Sequence, residues 1–465
     1  MLRRLLPVAA TLLAVLAAAA PPVTAAPSQH ATLLGRALLA PDASAPAPFP
    51  GAPDTEPAPA PGSRQPVGGF SALLDAPGRN TFWAMPDNGF GSKSNSRSFL
   101  LRVYEVRADF ESARGGSGEV RILRWITLHD PGKKIPFGIV TEGSPDRLLT
   151  GGDFDIESMR VARDGTLWFG EEFGPFLLHT DTAGKVLEAP VPLPGVESPD
   201  NPVPALPAPN GSNGFEALAI SPDRRTLYPI LEGPVTGDDP ATRRVYAFDI
   251  ATRRYVGRLP DYRVATAGLL VSDATALGGT RLVVLERDGL EGPEAAHKRG
   301  FVVDLSRRTP DGTLAKHQVV DLLDLHDPAE ISLPGRPGDI GLGAHFSMPY
   351  LTIESVLPLG GNRLAIVNDT NFGSTGRNPE LPDPSDFIVV EVPGLHAEGD
   401  VLRRVSDPLG QSGLTQPSGP VPCPDLLGKP PGHPHPLALT AYRVPGSRHF
   451  PQHVTRNRRA RAGTS

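Results

Sequence analysis

One hairpin pattern, written four times along the chain, limits the possible folds more than any other feature of the sequence. The copies run from Phe70-Ser71-Ala72-Leu73 to Asp87-Asn88-Gly89, from Ile156-Glu157-Ser158-Met159 to Glu171-Glu172, from Phe215-Glu216-Ala217-Leu218 to Glu232-Gly233, and from Ile353-Glu354-Ser355-Val356 to Asn368-Asp369. From opening residue to acidic close the distance is 15 or 16 residues in every copy. A fainter fifth copy, from Asp273-Ala274-Thr275-Ala276-Leu277 to Glu286, lacks the opening carboxylate. A fixed period of this kind marks one structural unit repeated.

Each copy reads as strand, turn, strand. Turn signals such as Pro77-Gly78-Arg79-Asn80, Arg163-Asp164-Gly165 and Gly360-Gly361-Asn362 separate short apolar runs rich in β-formers. The first residue of one strand and the last of its partner then lie at the same end, on strands ~5 Å apart. Glu157 therefore meets Glu172, Glu216 meets Glu232, and Glu354 meets Asp369. Packed radially as a β-propeller, the hairpins would bring these acidic ends together around a central channel. The expected fold is all-β, a propeller of six blades with five to seven compatible with the pattern. The sixth blade would come from pairing the early strand near Leu33–Leu39 with the late strand Phe387–Val392.

Converging carboxylates repel unless something offsets them: a bound cation, neighbouring Arg or Lys, or solvent. Calcium, which takes six to eight oxygen ligands, suits such a donor set. The candidate ligands are Glu157, Glu216, Glu354, Asp87 and Asp369, with Glu172, Glu232 and His345 as candidate acids or bases. Carboxylates that cap turns or accept hydrogen bonds from a neighbouring blade are the structural alternative. Lys93, Arg97, Arg287 and Lys298 follow acidic closes and are candidate contacts for phosphate oxygens, or simply solvated loop cations.

The segments Gly68-Gly69-Phe70-Ser71-Ala72-Leu73, Pro86-Asp87-Asn88-Gly89-Phe90-Gly91, Asp155-Ile156-Glu157-Ser158, Trp168-Phe169-Gly170-Glu171-Glu172-Phe173-Gly174-Pro175, Gly214-Phe215-Glu216-Ala217-Leu218 and Thr352-Ile353-Glu354-Ser355 resemble those of secreted bacterial proteins of the "esterase-like activity of phytase" family. The resemblance extends over roughly residues 31–391. It implies a secreted propeller that hydrolyses esters or phosphoesters. The Glu-bearing blades are also similar in architecture to calcium-dependent lactonase, gluconolactonase and paraoxonase propellers, which implies a metal in the channel.

Other hydrolase signatures are missing. The sequence has no Gly-x-Ser-x-Gly elbow, no His-Glu-x-x-His pair and no phosphate loop ending in Gly-Lys-Ser/Thr. What the residues favour is metal-assisted attack by water with a carboxylate as base. The alternative is a non-catalytic extracellular propeller that binds carbohydrate, phosphate ligands or a cell-wall partner.

Arg3 and Arg4, the apolar run Leu5–Ala20 and Val23-Thr24-Ala25 form a signal-peptide pattern over residues 1–25, which points to export. After cleavage no membrane span is expected. Cys423 is the single cysteine, so no internal disulfide can form and the fold must hold by core burial. A formal charge of −6 without a basic stripe argues against nucleic acid as a partner. The expected organisation is a propeller domain over residues 31–400 and a Pro/Gly-rich extension over 408–465. The chain is expected to act as a monomer on a small ester or phosphoester.

Overall fold

The computed structural model describes residues 30–47, 64–203, 210–211 and 213–397. The signal segment, Cys423 and the C-terminal extension lie outside the described residues. The described part is built from strands, with one 3-10 turn at Gly292–Glu294.

Five four-stranded antiparallel units account for the repeats. Blade 1 is Ala72–Asp75, Thr81–Met85, Arg102–Asp109 and Glu119–Thr127; blade 2 is Ile156–Val161, Leu167–Glu171, Phe176–Thr180 and Val191–Pro192. Blade 3 is Phe215–Ile220, Thr226–Leu231, Tyr246–Asp249 and Arg254–Arg258; blade 4 is Leu270–Gly278, Arg281–Arg287, Lys298–Arg308 and Leu314–Asp321. Blade 5 takes Thr352–Gly360, Arg363–Asp369 and Ser385–Glu391 from the end of the described chain and Thr32–Leu39 from its beginning. The innermost strands touch in the order 1-2-3-4-5-1, closing a ring. The fold is a β-propeller.

The expected pairing of the early and late strands is present, with Arg36 opposite Ile388 and Leu39 opposite Ser385. It corrects the count of six. Ser385–Glu391 is already paired to Arg363–Asp369, so the N-terminal strand becomes the outer strand of blade 5 and adds no sixth blade.

Burial explains why these strands read as they do. Blade 3 opens with Phe-Glu-Ala-Leu-Ala-Ile, all buried, because neighbouring blades cover both faces of the strand. Apolar side chains collect in five main clusters, one at each junction between blades. One example joins Phe70, Phe82 and Tyr104 of blade 1 to Val367 and Phe387 of blade 5. Trp168 is fully buried at the junction of blades 2 and 3, stacked on His179 at 4.1 Å, and does not line the channel.

The ring is fastened by a buried polar cluster. Arg36, from the N-terminal strand, donates to both oxygens of Asp386. Tyr350 and Arg377 donate to the same carboxylate. Two proline-rich stretches hold more structure than their composition suggests. Ser44–Pro46 pairs with Arg64–Pro66, and Val191–Pro192 forms the outer strand of blade 2.

Candidate functional site

The register of each hairpin places its opening residue. In blades 2, 3 and 5 the innermost strand is bulged at its start, between Ile156 and Ser158, Phe215 and Ala217, and Ile353 and Ser355. The extra residue in each case is Glu157, Glu216 or Glu354. A bulge sets two residues against one and re-aims a side chain. Blade 4 carries the same bulge between Val271 and Asp273, where the extra residue is Ser272. Ser71 occupies the position in blade 1, and its hydroxyl donates to Glu354 at 3.1 Å.

The closing positions follow from the same pairings. One residue past the partners of Ile156, Phe215, Val271 and Ile353 stand Glu172, Glu232, Arg287 and Asp369. The fifth copy as read from sequence was therefore one residue out of register. Blade 4 contributes Ser272 and Arg287 where other blades contribute carboxylates. Glu286 turns away from the site, paired with Lys316 and accepting a hydrogen bond from Tyr262.

Two glycines permit this crowding. A Cβ on Gly69 would stand 2.2 Å from an oxygen of Asp369. Gly214 has a φ of +99°, and its Cβ would stand 2.3 Å from the Cα of Glu172.

The site gathers seven of the expected acidic residues and adds an eighth, Asp155, which accepts hydrogen bonds from the backbone and side chain of Asn88. Ligand atoms of Asp87, Asp155 and Glu157 lie within 4.8 Å of one another, and so do those of Glu157, Glu172 and Glu216. Glu157 belongs to both groups. Oε1 of Glu172 and Oε1 of Glu216 are buried without a hydrogen-bond donor. Glu171, next to the site, is spent on the backbone, accepting from the N–H groups of Asp155, Phe173 and Gly174.

Arg287 faces the other side of the ring. Its Nη2 lies 3.1 Å from Glu232, 3.6 Å from Glu216 and 3.7 Å from Glu354. Glu232 is further held by Asn213, which donates to its Oε2 at 2.7 Å. Below the ring, Arg160 of blade 2 crosses the channel to Asp273 at 2.9 Å and to Ala274 and Thr275 of blade 4. Asp273 also accepts from the backbone of Val356 in blade 5, so three blades meet in this plug.

Electrostatics follow from the crowding. Burial, then repulsion from Glu216 and Asp155, holds Glu157 well above the usual carboxylate range. Burial and neighbouring carboxylates do the same to Asp87, Glu172, Glu216 and Asp369. Asp155 is pushed up to about 7, chiefly by burial. Glu354 is raised by burial, against the pull of Arg287. Buried anions that repel one another are stabilised by a cation, and an all-oxygen donor set with unpartnered oxygens fits a hard divalent ion such as calcium.

His345 is not among them. It sits on the outer ribbon beside the N-terminal strand with 76% of its side chain exposed, which corrects its assignment as an acid or base of this site. The four cations expected near phosphate also separate. Arg287 is in the ring, Lys298 is buried on Asp288 and the Leu351 carbonyl, and Lys93 donates to the Asp200 carbonyl and lies over Phe173. Arg97 has a partner as well. Asp155 was missed from sequence because the other blades hold Gly69, Gly214, Leu270 or Thr352 at its position. Its place beside the Glu157 of the repeat was the available signal.

Fold and site together define a β-propeller with a carboxylate ring at one end of a plugged channel. The chain belongs to the phytase-like family described as esterase-like activity of phytase, whose model matches residues 65–372. An uncharacterized secreted protein of Arthroderma benhamiae is 22% identical over 305 residues, which take in 49% of this chain and 59% of that protein. The match thus spans less than two-thirds of the relative's length. Among solved structures, the Pseudomonas aeruginosa periplasmic gluconolactonase PpgL is 15% identical with a TM-score of 0.34, covering 78% of this chain and all of that one. A luciferin-regenerating enzyme is 12% identical with a TM-score of 0.35, covering 72% and 82%.

Proposed function

We propose that this protein is a secreted hydrolase of small esters or phosphoesters that works with a divalent cation, calcium by donor chemistry, at the carboxylate ring. The observation that carries the reading is Glu157, a buried carboxylate shared by two groups of three whose oxygens already lie within 4.8 Å. Family membership and the signal-peptide pattern support it. A cation held there supplies Lewis-acid polarisation of the substrate oxygen and acidifies water.

The chain's own residues divide the remaining work. Asp87, Asp155 and Glu157 are the ligand set. Glu172, which lies beside Glu157 and whose Oε1 has no hydrogen-bond donor, accepts the proton from the attacking water at that atom once it is ionised, which a cation at the ring would favour against the upward push of burial. Glu232 has both oxygens engaged, by Arg287 and Asn213, and is a positioning residue rather than a base. The Arg160–Asp273 plug restricts access to the face that carries the ring.

The test is hydrolysis of a panel of p-nitrophenyl esters, lactones, phosphomonoesters and phytate by the secreted chain, before and after chelation. Turnover that needs calcium and falls in Glu172→Gln while calcium still binds supports the assignment. Calcium binding without turnover on any member would leave a cation-dependent binding propeller instead.

A further inference from the structure

A second cluster of metal-binding chemistry lies on the outer edge of blade 5, beside its outermost strand, whereas the ring is carried by the innermost hairpins. The N-terminal strand Thr32–Leu39 pairs in parallel with the two-residue strand Leu325–His326, which pairs antiparallel with His345–Phe346. Thr32 is opposite His326, and His326 is opposite His345. Residues opposed in an antiparallel pair share a face with Cβ atoms ~5 Å apart. Two imidazoles are thus set side by side by backbone register. His30, two residues before Thr32, joins them: its ring stacks on His326 at 4.6 Å, and the His326 and His345 rings are 5.7 Å apart.

A carboxylate completes the set. Nδ1 of His30 is 3.1 Å from one oxygen of Asp324, and Nδ1 of His345 is 3.7 Å from the other. Three imidazoles and a carboxylate from three separate stretches of chain converge on one exposed face. The carboxylate ring uses none of them. The His30 ring is stacked on His326 and the His345 ring stands edge-on to it, and the open side chain of His345 has the freedom to turn a nitrogen toward its neighbours.

We infer that His30, His326, His345 and Asp324 form a binding site for a zinc-type divalent metal. The donor set separates it from the ring: imidazole suits zinc, copper and nickel, whereas calcium takes oxygen. Its position gives it a role. A metal held by His30 on one side and His326 and His345 on the other ties the strand that closes the propeller to the chain beneath it. Ligation contributes to folding, because the site exists only when the three stretches are together.

The test is a zinc titration of the full chain at pH 7.5 by calorimetry, with calcium in excess so that the carboxylate ring does not compete, alongside thermal unfolding at each zinc concentration. The wild-type chain should bind zinc saturably, and its unfolding midpoint should rise with zinc. His326→Ala combined with His345→Ala, two replacements on an outer ribbon, should weaken zinc by more than the about 10–100-fold typical of losing an outer-shell partner. The zinc-dependent rise in midpoint should vanish with it, while the zinc-free midpoint and calcium binding stay as in the wild type. No zinc binding by the wild-type chain, or equal binding by the double variant, overturns the assignment and leaves the cluster as histidine–aspartate ion pairs. Neither result bears on hydrolysis at the ring, which is read in the absence of zinc.

Discussion

Arg287 lies 3.1 Å from Glu232 and stands at the position in blade 4 that Glu232 holds in blade 3. A guanidinium therefore replaces one member of a carboxylate ring and pairs with its neighbours from inside it. One sector of the ring is compensated by the chain itself. The sector of Asp87, Asp155 and Glu157 is where we propose that a cation from solution binds.

Arg287→Gln should destabilise the calcium-free protein by about 3–5 kcal/mol, because it leaves Glu216, Glu232 and Glu354 buried without their partner. Urea unfolding in chelator measures the loss. Saturating calcium should shrink it, and equal stability of variant and wild type in chelator would show that the pairing contributes nothing.

Burial and neighbouring carboxylates raise the pKa values of Asp87, Glu157, Glu172, Glu216 and Asp369 and hold that of Asp155 at about 7. The folded chain then keeps protons that the unfolded chain releases above about pH 4, so stability falls as pH rises. Calcium-free protein should lose stability between about pH 5 and 8. Calcium displaces those protons, so its affinity should rise over the same interval. Unfolding curves and calcium titrations at pH 5.5, 6.5 and 7.5 check both directions; a calcium affinity that is flat with pH contradicts the shifts.

Arg160→Met should cost about 3–5 kcal/mol, since Asp273 would lose its ion pair at a site where both side chains are almost wholly buried. Calcium affinity should change little, because the plug lies below the ring. A large loss of calcium binding with little loss of stability would reverse these roles.

Asp386→Ala removes the shared acceptor of Arg36, Arg377 and Tyr350. It should destabilise by about 3–5 kcal/mol and speed amide exchange along Thr32–Leu39 ahead of blades 2 and 3. Uniform exchange across the blades would mean that the N-terminal strand is fastened by its backbone pairing alone.

Much of this was legible in the sequence because the hairpins are local: Thr166-Leu167-Trp168-Phe169 follows Arg163-Asp164-Gly165, and a two-strand unit needs only that adjacency. Outer strands were harder to see. Arg254–Arg258 is largely exposed and carries little apolar pattern, and Val191–Pro192 lies in a proline-rich run. The blade count depended on whether Thr32–Leu39 was a third partner or a fourth, which pairing far along the chain decides. In blade 4 the acidic Asp273 and Glu286 drew the reading one residue away from Ser272 and Arg287, because a bulge leaves no mark in hydrophobic periodicity. His345 looked isolated in sequence because its companions, His30 and His326, arrive through strand pairing.

The most direct test of the central claim is a calorimetric calcium titration of chelator-stripped wild-type protein beside Glu157→Gln. The two groups of carboxylates share Glu157, so the wild type should bind calcium saturably and the variant should bind about tenfold more weakly or worse while remaining folded. Absence of calcium binding by the wild type, or unchanged affinity in Glu157→Gln, would contradict a cation site at the ring.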